Sequence, residues 1–291
     1  MKILAAKGTG FCFGVKRAIN IAFDVAKKEK SGVYTFGPII HNPQVIERLK
    51  TVGVMPIESL RGLRKKGLNA VIIRTHGVPA DIMQRLEKIG CKIIDATCPY
   101  VKKAQQYAKL LCDEGYQVVI LGDKRHPEVE GIMSYAGKNA VVVDAESGIP
   151  HLKSRVGIVV QTTQPLEALR GLLSSAIGQT KEIKVYNTIC SSTALRLEET
   201  ETVARKADVM IVVGGKNSAN TTQLANLCRS LSVPTYHIET ASEIKEKWMK
   251  GSKVVGITAG ASTPDWIIND VKKRIKDIGG SPCYGNREKR A

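Results

Sequence analysis

Three cysteines occupy the same kind of place in this chain, and that recurrence limits the possible folds more than any other feature. Ile3-Leu4-Ala5-Ala6 is an apolar run of strand length, followed by a glycine-rich elbow around Cys12. Val15, Ala18, Ile19, Ala22, Phe23, Val25 and Ala26 then recur at helical spacing between lysines. Lys92-Ile93-Ile94-Asp95 leads to Cys98 and Pro99, a residue suited to a first helical turn. Lys184-Val185-Tyr186 leads to Cys190 and to Ser191-Ser192, hydroxyls suited to a helix cap. Each cysteine therefore marks a point where a strand turns into a helix.

The recurrence extends further along each segment. A second strand follows every cysteine and ends in polar residues: Val33-Tyr34-Thr35-Phe36 before His41, Gln117 to Leu121 before His126-Pro127-Glu128, and Val209 to Val213 before Ser218-Ala219-Asn220. His41, His126 and Ser218 stand 29, 28 and 28 residues after their cysteines. A third strand then ends at His76, Thr162 or Ser262, which stand 64, 64 and 72 residues after the same cysteines. The third segment carries extra length around Lys245–Gly251. This is the pattern of an internal triplication. Continuous β-branched runs between amphipathic segments predict parallel sheets covered by helices, and open sheets of this kind bind ligands beyond the carboxyl ends of their strands. The expectation is an α/β chain of three pseudo-threefold-related lobes, each a mainly parallel sheet flanked by helices, meeting at one central site. The lobes are placed at residues 14–97, 98–189 and 190–280. Residues 1–13 supply a strand to the third, and 281–291 form a disordered tail without apolar period.

Composition removes several classes. The apolar runs in the 291 residues are strand-sized, so none would span a membrane, and no secretory signal is visible at the N-terminus. A cytoplasmic setting is expected, where seven cysteines serve as thiols or metal ligands rather than disulfides. Forty-four Lys and Arg against 27 Asp and Glu give a net charge of +17, compatible with nucleic acid, an acidic protein partner, an anionic substrate or a solvated basic surface. Sparse aromatics and the lack of zinc-finger spacing argue against dedicated nucleic-acid recognition.

The recurring residues suggest chemistry. Helix N-termini favour thiolates, the metal-binding form, at Cys12, Cys98 and Cys190. Zinc sites with several cysteines usually draw on close pairs such as Cys-x2-Cys, which are missing here. Three cysteines can instead hold three irons of a four-iron cluster and leave the fourth open. Cys112 and Cys228 fall within helix patterns, Cys91 precedes a strand, and Cys283 lies in the tail, so all four read as structural or incidental. His41, His76 and His126, with Thr162, Ser218, Asn220 and Ser262, form a set of donors suited to a phosphate or diphosphate. Glu128 is the one carboxylate in these strand-end motifs, either a proton donor or a cap partner for a helix over 128–136. Gly214-Gly215-Lys216 lacks Walker spacing, and Gly8, Gly10 and Gly14 miss the dinucleotide fingerprint by one residue.

In order along the chain stand Gly-Phe-Cys-Phe-Gly-Val-Lys-Arg-Ala, Gly-Pro-Ile-Ile-His-Asn-Pro, Arg-Thr-His-Gly-Val, Asp-Ala-Thr-Cys-Pro, His-Pro-Glu, Gln-Thr-Thr-Gln, Asn-Thr-Ile-Cys and Gly-Ala-Ser-Thr-Pro-Asp-Trp. Over about residues 1–278 the chain resembles the 4-hydroxy-3-methylbut-2-enyl diphosphate reductase family. The resemblance implies three α/β lobes around a [4Fe-4S] cluster held by Cys12, Cys98 and Cys190. It implies a diphosphate pocket of His41, His76, Ser218, Asn220 and Ser262. It also places His126, Glu128 and Thr162 around the substrate hydroxyl, with Glu128 the proton source. The implied reaction is a two-electron removal of that hydroxyl as water, giving isopentenyl and dimethylallyl diphosphate in the last step of the non-mevalonate isoprenoid pathway. Reduced ferredoxin or flavodoxin is the implied electron donor. Ala219 departs from the serine that many members carry; a hydroxyl is lost from the substrate pocket and the backbone N–H remains. Two other readings compete: a non-redox iron-sulfur hydro-lyase acting on a phosphorylated or anionic small molecule, and a basic nucleic-acid-binding protein with a structural metal.

Overall fold

The computed structural model describes residues 1–29, 31–60, 68–144 and 150–280. The tail at 281–291 and Cys283 lie outside the described residues. Strand β1 (Lys2–Ala5) leads to helix α1 (Phe13–Glu29), then β2 (Val33–Phe36), α2 (Pro43–Lys50), β3 (Val54–Ile57), β4 (Ala70–Ile73), α3 (Ala80–Ile89) and β5 (Lys92–Asp95). The next stretch runs α4 (Pro99–Asp113), β6 (Gln117–Leu121), α5 (Pro127–Met133), β7 (Val141–Val143), β8 (Arg155–Val160), α6 (Leu166–Ile177) and β9 (Glu182–Tyr186). The last comprises α7 (Ser191–Ala204), β10 (Val209–Val213), α8 (Ala219–Ser230), β11 (Thr235–Ile238), β12 (Val254–Ala259) and α9 (Asp265–Gly280). The extra length of this last stretch forms two short 3-10 turns, Ala241–Glu243 and Glu246–Trp248.

The strands form three four-stranded sheets, ordered β3-β2-β4-β5, β7-β6-β8-β9 and β11-β10-β12-β1, and every pairing is parallel. The order is the same in all three, with β1 in the place held by β5 and β9 in the other two. Lys2 pairs with Val254 and Ala5 with Ile257, so the start of the chain completes the sheet built near its end. The edge strands β3, β7 and β11 have no counterpart in the three strands per segment expected from sequence. They are only three or four residues long and mostly half-buried, so they do not stand out beside the central strands, although β3 and β7 are wholly apolar.

Alternate residues of each central strand face opposite layers. In β10, Val209, Ile211 and Val213 pack with Ile267, Ile268, Val271 and Ile275 of α9, whereas Met210 and Val212 pack with Leu224, Ala225 and Cys228 of α8 and Val203 of α7. In β6, Val119 and Leu121 face Leu169 and Leu172 of α6, whereas Val118 and Ile120 face Ala104, Ala108 and Leu111 of α4 and Ile132 of α5. In the remaining sheet, Val33 and Ile72 face α1 and α2, and Val71 and Ile73 face Leu86 of α3. Both faces are covered, which explains continuous apolar runs where a half-exposed sheet would alternate. Each fully buried Val or Ile contributes about 1.5–3 kcal/mol of apolar burial.

The chain divides into two compact units. The larger, Phe11–Leu195, contains the sheets built on β2 and β6; the smaller combines Met1–Gly10 with the chain from Arg196 onward and contains the sheet built on β10. Among the described residues no helix is long and apolar enough to cross a membrane.

Candidate functional site

Cys12, Cys98 and Cys190 each immediately precede a helix, α1, α4 or α7. Pro99 starts α4, and its missing N–H costs nothing there. The Cys98 N–H donates to Thr75 O and the Cys190 N–H to Thr162 O, both at 2.9 Å, so the two elbows are tied to equivalent strand ends. All three cysteines are half-buried free thiols. Gly14 lies so close to Cys98 that an added Cβ would come within 2.6 Å of its Sγ. The Ser192 hydroxyl lies 3.1 Å from Cys190 Sγ.

At Cys98 the helix N-terminus does not by itself produce a thiolate. Burial pushes the Cys98 thiol up to about 11, against the lowering influence of the Tyr100 and Val101 N–H groups, and the neighbouring Cys12 and Cys190 raise it further. That mutual influence places the three thiols near one another. Among the described residues, however, the three sulfur atoms do not all lie within 4.8 Å of one another. A single tetrahedral ion would draw three sulfurs closer than that. Three cysteines on separate elbows, near but not touching, fit a larger inorganic body held from three sides.

His41, His76 and His126 gather at the carboxyl ends of the two sheets of the larger unit. Their ring centroids lie 4.5 Å (His41–His76), 5.4 Å (His76–His126) and 5.9 Å (His41–His126) apart. Burial lowers the proton affinity of all three, and Arg74 lowers it further. His76 falls well below the ordinary histidine range and His126 to about 4, so both are neutral at pH 7. His126 caps α5: its Nδ1 accepts from the Glu128 N–H at 3.2 Å. The neutral ring therefore carries its proton on Nε2 and presents a donor. Although the three rings approach closely enough to hold a cation, a donor at His126 and a nearby guanidinium suit an anion better.

Capping also shows which positions are equivalent. Asn42 caps α2, its Oδ1 accepting from the Val45 N–H at 3.1 Å; Ser218 caps α8. The structural partners of His126 are thus Asn42 and Ser218, with His41 one residue earlier; Asn42 stands 30 residues after Cys12, so the first segment is two residues longer here than the other two.

The Glu128 carboxylate takes no part in capping; the His126 side chain caps α5, which ends at Met133. The Glu128 carboxylate is buried, 2% exposed, and faces Thr162 across the sheet ends. The Thr162 N–H donates to Oε1 at 2.6 Å and the Thr162 hydroxyl to Oε2 at 2.9 Å. Burial raises the Glu128 pKa to about 7, outweighing both hydrogen bonds. A carboxyl group poised near neutrality beside a hydroxyl is suited to proton delivery.

In the smaller unit, Ser218, Ala219, Asn220 and Ser262 lie after β10 and β12. Asn220 Oδ1 accepts from the Ala261 N–H at 3.0 Å, fixing the amide so that its buried Nδ2 has no hydrogen-bond partner among the described residues. Ala219 begins α8. Arg74, which follows β4 and approaches all three histidines of the larger unit, is the residue that sequence reading passed over. A lone cation at a strand end is common, and only its neighbours set it apart.

Residues 3–276 match the family model described as LytB protein. The 4-hydroxy-3-methylbut-2-enyl diphosphate reductase of Geobacter sp. (strain M21) is 47% identical over 280 residues, 96% of this chain and 98% of that one. The reductase of the same name from Aquifex aeolicus (strain VF5) is 49% identical over 281 residues, 95% and 96%. A solved structure of (E)-4-hydroxy-3-methyl-but-2-enyl diphosphate reductase, the terminal enzyme of the non-mevalonate pathway, matches with TM-score 0.69 and 44% identity over 95% of this chain and 100% of its own. The E-1-hydroxy-2-methyl-but-2-enyl-4-diphosphate reductase of Plasmodium falciparum matches with TM-score 0.86 and 26% identity over 97% and 89%.

Proposed function

This chain belongs to the LytB protein family, and from that premise we propose how its residues divide the work of reducing 4-hydroxy-3-methylbut-2-enyl diphosphate. The chain is an oxidoreductase of the non-mevalonate isoprenoid pathway. The allylic carbon–oxygen bond breaks and the hydroxyl leaves as water. Two electrons and two protons enter, one proton going to the departing oxygen and the other to an allylic carbon. The products are isopentenyl and dimethylallyl diphosphate. Reduced ferredoxin or flavodoxin delivers the electrons, and the reaction takes place in the cytoplasm.

Cys12, Cys98 and Cys190 would hold a [4Fe-4S] cluster through three of its irons. When bound, that group supplies electrons and a Lewis-acid position for the hydroxyl. The remaining work falls to side chains. His41, His76, Ser218, Asn220 and Ser262, with the backbone at Ala219, bind the diphosphate and so fix the allylic end, a positioning effect. His126 offers its Nε2–H near the hydroxyl. When Glu128 is protonated, Oε2 donates to the Thr162 hydroxyl oxygen 2.9 Å away, and that hydroxyl turns to pass its own proton on.

The observation that carries this reading is the buried Glu128–Thr162 pair. A carboxyl group with a pKa of about 7 keeps a substantial protonated fraction at neutral pH, as a general acid must. The decisive experiment is anaerobic purification with iron and sulfide analysis, followed by turnover of hydroxymethylbutenyl diphosphate with excess chemical reductant. The expected result is about four irons per chain and both five-carbon diphosphates. Cluster-loaded protein that leaves the substrate unreduced would overturn the assignment.

A further inference from the structure

Arg74 directly follows β4 and lies two residues before His76. Its Nε donates to Gly77 O at 3.3 Å. Its guanidinium rests against Gly37, where an added Cβ would meet Nη1 at 2.5 Å. Gly37 also has φ of +70°, a conformation that favours glycine, so the backbone there both turns and leaves room for the cation. No described carboxylate forms an ion pair with Arg74; Glu130 acts on it only through space. A largely desolvated cation without a paired anion is costly. Proteins retain such a charge where an anion arrives from outside.

The three imidazoles do not supply that charge. Burial, their mutual proximity and Arg74 itself keep them neutral near pH 7. They can donate hydrogen bonds, whereas a diphosphate brings at least two negative charges. A guanidinium offers five donors in a planar fork matched to phosphoryl oxygens.

We propose that Arg74, cradled by Gly37, is the fixed positive charge that recruits the substrate's diphosphate to the histidine cluster. The inference rests on the functional reading above and adds a recognition residue to it. An alternative role is purely local: Arg74 as a clamp on the Gly77 carbonyl.

The two roles separate in a binding experiment on the cluster-loaded protein. Calorimetric titration with inorganic diphosphate is made at several salt concentrations for wild type, Arg74→Met, Arg74→Lys and Gly37→Ala, with circular dichroism as the check on folding. Arg74→Met should weaken diphosphate about tenfold or more and flatten the salt dependence, while Arg74→Lys retains most of both. With chemical reductant, Arg74→Met should raise KM by a similar factor and leave kcat within about threefold, the signature of lost ground-state binding. Gly37→Ala, which displaces the guanidinium without removing it, should reproduce the affinity loss and decides the matter if Arg74→Met does not fold. A folded Arg74→Met with wild-type affinity and salt slope would reduce Arg74 to a clamp. Wild-type protein that binds no diphosphate at all would instead remove the diphosphate site itself.

Discussion

Thr162 grips both oxygens of Glu128, through its N–H and its hydroxyl, and its carbonyl accepts the N–H of Cys190. One residue thus fixes a candidate proton source relative to a candidate cluster ligand. Replacing Glu128 by Gln keeps the size and a hydrogen-bonding partner but removes the acid. Turnover with saturating chemical reductant should fall about 100-fold or more, with iron content and diphosphate affinity unchanged. Near-normal turnover by a cluster-loaded Glu128→Gln would move the proton source elsewhere.

The pH profile follows from the same pair. Glu128 is protonated below about 7 and ionised above it, so kcat should decline on the alkaline side with an apparent pKa near that value. Thr162→Val removes a hydrogen bond that favours the carboxylate, so the alkaline limb should move to higher pH even as the rate falls. A limb that stays in place would disconnect it from Glu128.

Stability should respond in the opposite sense to a surface ion pair. The folded-state pKa of Glu128 is raised above its unfolded value of about 4.5, so the folded state binds more protons between the two values. Stability therefore falls as pH rises from about 4.5 through 7. Glu128→Gln removes this penalty. Its melting temperature should exceed that of wild type at pH 8, and the advantage should shrink towards pH 5. Parallel melting curves for the two proteins across that range would contradict the burial of an ionisable group here.

Cluster content can be tested through a residue that is not a cysteine. Alanine at Cys12, Cys98 or Cys190 should abolish iron-sulfur absorbance, whereas alanine at Cys112 in α4 or Cys228 in α8 should not. Gly14→Ala should also lose the cluster, because its new Cβ would occupy space 2.6 Å from Cys98 Sγ. Full absorbance in Gly14→Ala would show that the Cys98 side chain has more freedom than this packing implies.

The Asn220 amide gives a sharper test than truncation. Asn220→Asp keeps the acceptor for the Ala261 N–H and replaces the free NH2 donor by an oxygen that repels anions. Substrate affinity should drop by at least about 1–3 kcal/mol, the range for leaving a buried partner unpaired. An Asp variant that binds as well as wild type would exclude Nδ2 as a diphosphate donor.

The triplicate architecture was legible in the sequence because its signals are covalent and local. Apolar runs, a cysteine at each elbow and polar residues at strand ends need no tertiary information. What escaped depended on neighbours. The strands β3, β7 and β11 are too short to stand out alone and are ordered by pairing to β2, β6 and β10. The tautomer of His126 depends on the Glu128 N–H, and the importance of Arg74 on Gly37 and three imidazoles. The thiolate expected at Cys98 from its helix N-terminus gives way to burial, a quantity that sequence does not display.

The pairing of β1 with β12 also governs the order in which the chain can assemble. Lys2 has to wait for Val254, about 250 residues further on, before its backbone finds a partner. During synthesis, the sheets built on β2 and β6 draw all their strands from chain already made and can form while β1 is still unpaired. The third sheet closes last, through the longest loop in the protein, and such non-local pairings are the slow steps of folding. Cys12 is only seven residues beyond Ala5, so the first candidate ligand in the sequence follows the last strand to be docked. Yet Cys12 belongs with Cys98 and Cys190 to the larger unit and packs with α1 against the β2 sheet, so the three candidate ligands can be in place before the third sheet closes.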